Sequence, residues 1–323
     1  MDIKLWGVRG SLPIAHAPEE NAARLTELAN GLLASVKGGS TADDYLSSLP
    51  SWKIAGYGGE TTCYEVKNRN SRVIVDGGTG LRKLGDKMLN GPLAKGQGEA
   101  HIVFTHFHWD HVMGLPYFKP LYIPGNKIHF YSVQPELEEM MRLVFKKPYF
   151  PVAFEQLGSE MHFHQIDARK PLKVGTLSVT PYLVDHPDPC YGFRIQDGNR
   201  AVSICTDTET VRKSREEMGE DLALYQETDL LIYDAQYTLN ELADKINWGH
   251  SAGPLGIDIA LREKIKKVLF VHHDPGADDN RINEAERETR AYYEKKIKVL
   301  KSNGQEVHHV DWSFAYEGQE IHL

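Results

Sequence analysis

The run 105–111 (Thr-His-Phe-His-Trp-Asp-His) constrains the chain more than any other stretch, because it holds three histidines and one aspartate within six positions. It follows a short apolar segment, so the sequence predicts a buried strand that ends in a tight loop of metal ligands. Histidine together with aspartate suits Zn, Mn or Fe better than Ca or Mg. The spacing puts His106 and His108 on one side of the loop, while Asp110 and His111 turn toward a second position. One loop could therefore serve two metal ions, and four ligand-type residues at this spacing disfavour a purely structural role.

Length, charge and cysteine content narrow the class of protein. The chain has 323 residues, which is long for one average domain but within reach of a large undivided α/β domain. Its formal net charge of −8 argues against binding to long nucleic acid or to anionic membranes. Three widely spaced cysteines are not a secreted disulfide framework, and no apolar run reaches the ~18 residues that a membrane span needs. The sequence predicts a single domain, 1–323, in the cytoplasm.

A helical segment interrupts the first predicted strands. Residues 3–8 alternate in polarity like an edge strand, before strand-like runs resume further along the chain. Between them, residues 14–55 are rich in Ala, Leu and Glu, with helical spacing over 21–36 and a shorter predicted helix over 41–49. We interpret 14–55 as a helical insertion near the N-terminus. It could be a packing element, a dimer contact or a lid over the site.

The pattern His106-x-His108-x-Asp110-His111 resembles the signature of the metallo-β-lactamase superfamily of dinuclear metallohydrolases. The resemblance implies an α/β fold in which two mixed sheets pack face to face with helices outside, an αββα four-layer sandwich. It also implies that the remaining site residues come from other strand ends in a fixed order along the chain.

Four further positions match that order. Asp76 matches an aspartate that orients the histidine loop from behind the ligands. His186 matches the histidine that completes the first metal site, and Asp207 matches the aspartate that bridges both metals. His272 matches the last ligand, at the end of a predicted strand.

Two of these positions have a competing histidine. His162 and His164 alternate on a predicted strand, which is an ordinary half-buried pattern, so His186 is preferred to them. His273 is the fallback for His272, because the sequence does not show which of the two side chains points inward.

Asp234 and the triplet 249–251 (Gly-His-Ser) resemble the tRNase Z branch of the superfamily, which includes the cyclic phosphodiesterase of phosphonate breakdown. In that branch a carboxylate and a histidine flank the metals and assist phosphodiester cleavage. The resemblance gives this role to His250, whereas Asp234 stands where the family has glutamate and is one methylene shorter. The alternative for His250 is a histidine that bonds the backbone at the start of a helix.

The resemblance therefore implies a metal-dependent hydrolase with two divalent ions, Zn or Mn. Seven side chains would hold these ions: His106, His108 and His186 for the first, Asp110, His111 and His272 for the second, and Asp207 as the bridge. Asp110, Asp207 and His250 would be the catalytic residues when a metal-bound hydroxide attacks phosphorus.

The expected substrate is a small phosphodiester, such as a cyclic nucleotide or another cyclic diester. Processing of tRNA needs a basic clamp, and the insertion 14–55 carries five acidic residues against three basic ones, so it cannot attract an RNA backbone. Two alternatives stay open: hydrolysis of a thioester or lactone on the same metals, and a protein that binds metal to sense a ligand without turnover. The insertion also leaves a homodimer open.

Overall fold

The computed structural model describes all 323 residues and contains two seven-stranded sheets. The strands are β1 (Asp2–Gly7), β2 (Cys63–Lys67), β3 (Arg72–Val75), β4 (Glu99–Val103), β5 (Lys127–Ser132), β6 (Glu160–Gln165), β7 (Leu172–Val174), β8 (Leu177–Leu183), β9 (Tyr191–Asp197), β10 (Arg200–Cys205), β11 (Leu230–Asp234), β12 (Lys267–Val271), β13 (Asp311–Phe314) and β14 (Glu320–His322). The first sheet has the order β14-β1-β2-β3-β4-β5-β6 and the second has the order β13-β12-β11-β10-β9-β8-β7. Strands β3 to β6 are parallel, as are β10 to β13. Their carboxyl ends therefore open at shared edges, where loops can meet.

Ten α-helices surround or connect these sheets. They are α1 (Pro18–Lys37), α2 (Ala42–Ser48), α3 (Ser51–Ala55), α4 (Gly80–Met88), α5 (Trp109–Val112), α6 (Leu137–Val144), α7 (Arg215–Met218), α8 (Leu239–Leu242), α9 (Gly253–Glu263) and α10 (Asp279–Ser302). Helix α6 shows why the longer helices form where they do. Its buried residues, Leu137, Met140, Met141 and Val144, recur at the spacing of one helix face, so the helix can cover an apolar sheet.

Three hydrophobic clusters divide the molecule into four layers. The first fills the space between the sheets and includes Val103 and Ile232. The second lies under α4 and α6 on the outer face of the first sheet. The third lies under α9 and α10 on the outer face of the second sheet. The predicted αββα sandwich is confirmed, and none of its helices has both the length and the apolar character required to cross a membrane.

The insertion 14–55 is helical, as predicted, but contains three helices rather than two. None of α1, α2 and α3 has a buried residue. The segment is attached to the rest of the molecule by an ion pair between Arg24 and Asp279 and by stacking of Trp52 on Tyr57, with 5.1 Å between ring centroids. The third helix follows Pro50 directly, which is a compatible position for a helix start.

The prediction that residues 3–8 form an edge strand is wrong. Strand β1 lies between β2 and β14, and Ile3 pairs with Ile321. The pairing strand has only three residues and lies at the other end of the chain. A local polarity pattern cannot report such a distant neighbour.

Candidate metal centre

Four side chains from distant parts of the chain form a first candidate metal site at one edge of the sandwich. His106 and His108 lie in the loop after β4, His186 lies between β8 and β9, and Asp207 follows β10. One potential ligand atom of each lies within 4.8 Å of the others. The Nδ1 atom of His186 is 2.9 Å from the carbonyl oxygen of Asp188, which leaves Nε2 of that ring for a metal.

A second cluster, formed by Asp110, His111, Asp207 and His272, meets the same distance condition, and all four of its residues are buried. The Nε2 atom of His111 is 3.2 Å from Oδ2 of Asp110 and 3.3 Å from Oδ1 of Asp207. The Nε2 atom of His272 is 3.3 Å from Oδ2 of Asp207. Asp207 belongs to both clusters, and this is the position that a bridging ligand requires.

The chemistry of the donor atoms fits cation binding. Four buried atoms of this centre have no hydrogen-bond partner: Nε2 of His106, Nε2 of His111, Nε2 of His272 and Oδ1 of Asp207. A buried polar group without a partner costs about 1–3 kcal/mol, and these four atoms lie in the two adjoining clusters that share Asp207. A divalent cation satisfies imidazole nitrogens and carboxylate oxygens together, so the arrangement suits a metal centre.

The ligand rings are oriented by groups behind them. Asp76 is fully buried and accepts hydrogen bonds of 2.9 Å from the backbone N–H and the hydroxyl of Thr105. Its carboxylate also lies 2.9 Å from Nδ1 of His111, and Oγ1 of Thr62 lies 3.2 Å from Nδ1 of His272. A proton on Nδ1 leaves the lone pair of Nε2 directed at the centre.

Asp234, the last residue of β11, connects the two clusters to His250. Its Oδ2 accepts a hydrogen bond of 3.1 Å from the backbone N–H of Asp207 and lies 2.9 Å from Nδ1 of His250. Its Oδ1 accepts hydrogen bonds of 3.0 Å from the backbone N–H groups of Gln236 and Ser251. One carboxylate therefore positions both the main chain of the shared aspartate and the ring of His250.

Three site residues have a left-handed backbone: φ is 63° at Asp76, 54° at Asp207 and 65° at His272. Each such non-glycine residue costs about 1–2 kcal/mol, and each lies just beyond a strand end. At His272 this conformation interrupts the alternation of the strand and directs the ring to the centre. His273 instead donates from Nε2 to the carbonyl oxygen of Ala315 at 2.7 Å, and burial lowers its pKa to about 3.

Burial and charge act against each other at the centre. Burial raises the pKa of Asp207, but His272 and His111 hold it well below its usual range. Burial lowers the pKa of His111, but Asp110 and Asp207 raise it well above the ordinary value. In the same way, the pKa of His272 rises to about 9. Protons on these histidines face the carboxylates. A metal ion must displace these protons in order to bind, so metal affinity falls in acid.

A cleft of about 320 Å³ opens onto the centre. It is lined by Ser11, Phe107, His108, Trp109, Asp110, Asp207 and His250. Trp109 is 61% exposed at this cleft, and the backbone N–H of Ser11 donates to Oδ2 of Asp110 at 2.8 Å. A larger cavity of about 630 Å³ beside α8 and α10 contains none of the seven predicted ligands. No residue of the insertion 14–55 lines the cleft, so the insertion does not cover the centre in this conformation.

Comparison with known proteins decides the family. Residues 71–273, more than half of the chain, match the model of the β-lactamase superfamily domain. The chain belongs to this family. A ribonuclease Z of Staphylococcus carnosus is 23% identical over 197 residues, which cover 56% of this chain and 60% of that relative. The match thus spans less than two thirds of the relative's length.

Two solved structures share the fold of this superfamily domain along nearly the whole chain. The metallo-β-lactamase fold protein YhfI from Bacillus subtilis has a TM-score of 0.60 and 15% identity, covering 99% of this chain and 98% of its own. A diphosphatase from the PhnP family has a TM-score of 0.58 and 16% identity, covering 100% and 97%. The predicted family and fold are confirmed, and at the level of the family so is the prediction of a metal-dependent hydrolase.

The structure brings together all seven predicted ligands, with Asp76, Asp234 and His250 against them. Sequence reasoning missed two glycines that lie against ligand rings. A methyl group on Gly10 would lie 2.6 Å from Nε2 of His272, and one on Gly249 would lie 2.6 Å from Nε2 of His186. It also missed Asp188, whose Oδ2 is 2.9 Å from Nε2 of His108. Single glycines and exposed aspartates carry no motif that could have indicated these roles.

Proposed function

We propose that the protein is a phosphodiesterase that hydrolyses a small phosphodiester, such as a cyclic nucleotide or another cyclic diester, with two divalent ions, Zn or Mn. The observation that carries this proposal is the hydrogen-bonded pair of Asp234 and His250 beside two ligand clusters that share Asp207. The names of the relatives, ribonuclease Z and a PhnP-family diphosphatase, support chemistry at phosphorus.

The seven ligands would divide between the two ions. His106, His108 and His186 would hold one, Asp110, His111 and His272 would hold the other, and Asp207 would bind both. When bound, the ions supply Lewis acidity, which lowers the pKa of water and neutralises charge on a phosphoryl group.

His250 contributes proton transfer from the protein side. Its Nδ1 is engaged by Asp234 at 2.9 Å, so Nε2 is the ring atom available to the cleft that His250 lines. From there it hydrogen-bonds a phosphoryl oxygen or protonates the leaving oxygen. The carboxylate of Asp234 stabilises the charged imidazolium and fixes its orientation. A positioned acid of this kind contributes about 10²- to 10⁴-fold in rate.

The form of the cleft supports a small substrate. Its volume of about 320 Å³ is at the lower end of the range for small-molecule sites. No lysine or arginine lines it or the neighbouring cleft beside Asp188, so a long polyanion would find no basic track. The exposed ring of Trp109 and the adjacent Phe107 offer aromatic surfaces, and stacking on a base contributes about 1–3 kcal/mol.

Phosphodiesterase activity of the His250→Gln variant tests this function. The assay compares bis-p-nitrophenyl phosphate and cyclic nucleotides with an acyl thioester and a lactone, each with Zn²⁺ and with Mn²⁺. We expect phosphodiester turnover by the native protein and a 10²- to 10⁴-fold lower kcat in the variant, at unchanged metal content. His309→Gln, at an exposed histidine, is the matched control and should keep full activity.

Two results would contradict the proposal. If the native protein hydrolysed thioester or lactone but no phosphodiester, the substrate class would be wrong. If it turned over none of these substrates with metal bound, a sensor would be the better interpretation.

A further inference from the structure

A second group of metal-ligating side chains lies on the first sheet, outside the metal centre. His101 on β4 pairs in register with His129 on β5, which pairs with His162 on β6. Side chains in register on adjacent parallel strands project from the same face. Val103, two residues after His101, lies in the hydrophobic cluster between the sheets. The histidines therefore extend the inner face of the first sheet into a polar, partly exposed region.

Glu99 completes this group. Its Oε1 is 2.6 Å from Nε2 of His129 and 3.7 Å from Nε2 of His101. One ligand atom of each of these three residues lies within 4.8 Å of the others. The Nδ1 atoms are used elsewhere, at 3.0 Å from the hydroxyl of Tyr131 for His101 and at 3.0 Å from Nε2 of His164 for His129. Both Nε2 atoms therefore face the carboxylate.

The contacts within the group do not satisfy its polar atoms. Nε2 of His129 is buried and has no hydrogen-bond partner, so the carboxylate of Glu99, although close, is not aligned with an N–H bond. Nε2 of His162, whose ring is stacked on His129 with 4.6 Å between centroids, is also buried and unpaired. Burial lowers the pKa of His101 and of His129, which favours the neutral imidazole that a metal ligand requires.

We propose that Glu99, His101 and His129 form a third metal site, separate from the catalytic pair, for a borderline divalent cation of the Zn²⁺, Co²⁺ and Ni²⁺ class. Two imidazoles and one carboxylate are a recurrent donor set for such ions and leave positions for water. His162 is the nearest further nitrogen donor. The site is distinct from the catalytic centre, because it shares no residue with either ligand cluster there and because Glu99 and His101 stand in the first part of β4, whose other end leads to the catalytic loop.

An ion held there would join β4 to β5 at the end of the sheet remote from the catalytic loop. Since it would bind only the folded chain, it would raise the melting temperature with increasing free metal. Stacked neutral histidines without an ion would show no such dependence beyond that of the catalytic ions.

Metal stoichiometry tests the site. The full chain and its variants are equilibrated with buffered free Zn²⁺, and bound zinc is measured by mass spectrometry of the acid-released metal. We expect Glu99→Gln and His129→Gln each to bind one equivalent less than the native chain, with unchanged phosphodiesterase activity. Glu99 has an exposed side chain, so its replacement does not threaten the fold if the His129 variant proves unstable. His322→Gln, at an exposed histidine paired with Asp2, should bind as the native chain does.

Equal zinc content in the native chain and both site variants would overturn the proposal. So would an equal loss in the His322 variant, which would indicate adventitious surface binding. Neither result depends on the substrate of the catalytic centre, so the third site and the proposed function stand or fall separately.

Discussion

The carboxylate of Asp234 accepts hydrogen bonds from every group that contacts it. Replacing Asp234 with asparagine turns one of these two acceptor atoms into an amide donor. Oδ1 accepts two backbone N–H groups, from Gln236 and Ser251, and these cannot change their character. Oδ2 faces the backbone N–H of Asp207 and Nδ1 of His250, and the ring can change tautomer. The amide nitrogen will therefore take the Oδ2 position, where Nδ1 becomes the acceptor and the N–H of Asp207 loses its partner.

The losses of stability and of activity in this variant can be estimated from these contacts. The buried N–H without a partner costs about 1–3 kcal/mol, and loss of the hydrogen bond between the carboxylate and the imidazole adds about 1.5–3 kcal/mol. We expect a decrease of about 2–5 kcal/mol in the free energy of unfolding, because these terms overlap. Nε2 of His250 then carries its proton without a carboxylate to stabilise the charged ring. Activity should fall by the roughly 10²- to 10⁴-fold that an acid catalyst contributes.

Urea denaturation gives the stability, and kcat/KM for bis-p-nitrophenyl phosphate gives the activity, with bound metal measured on the same samples. Asp229→Asn is the matched control. Asp229 is also buried and accepts from the backbone N–H of Ala201 at 3.0 Å and from Lys266 at 2.6 Å, but it directly precedes β11, whereas Asp234 is its last residue. Its variant should lose stability and keep its activity. An Asp234→Asn protein within twofold of native activity, or an equal activity loss in the control, would refute the reasoning.

Two further changes test the site and the fold. Gly10→Ala should push the ring of His272 out of position, because the added methyl would lie 2.6 Å from its Nε2; metal analysis should show a loss of bound metal, and native content would contradict the contact. Burial raises the pKa of Asp221, but hydrogen bonds from Arg169 and Arg212 lower it overall. This carboxylate therefore stabilises the fold above the unfolded-state pKa of about 3.9, and the contribution is lost as pH falls through the lower folded-state pKa. Asp221→Asn should thus destabilise by roughly 1–3 kcal/mol at neutral pH and by progressively less in acid, as urea denaturation at several pH values will show; a difference independent of pH would contradict this.

The sequence predicts which side chains the structure gathers at this edge of the sandwich, because their chemistry is local. Histidine and aspartate residues directly after apolar strands mark the edge where strand ends meet, and the family order assigns their roles. The sequence does not decide between His272 and His273, because the direction of the His272 ring depends on a backbone φ of 65° that the strand pattern does not encode. The contact of Ser11 with Asp110 joins residues 99 positions apart, and no periodicity reports it. The neighbour of β1 was missed for the same reason.

The ligands come from both halves of the sandwich. The loop after β4 belongs to the first sheet, whereas His186, Asp207 and His272 belong to the second. Ions bound between them would cross-link the two sheets along one edge, whereas the interior of the sandwich is held by apolar packing. A chelator would then do more than stop turnover, because the two sheets could separate at the edge where the ions had joined them. Protease cleavage should therefore begin in the loops that carry the ligands.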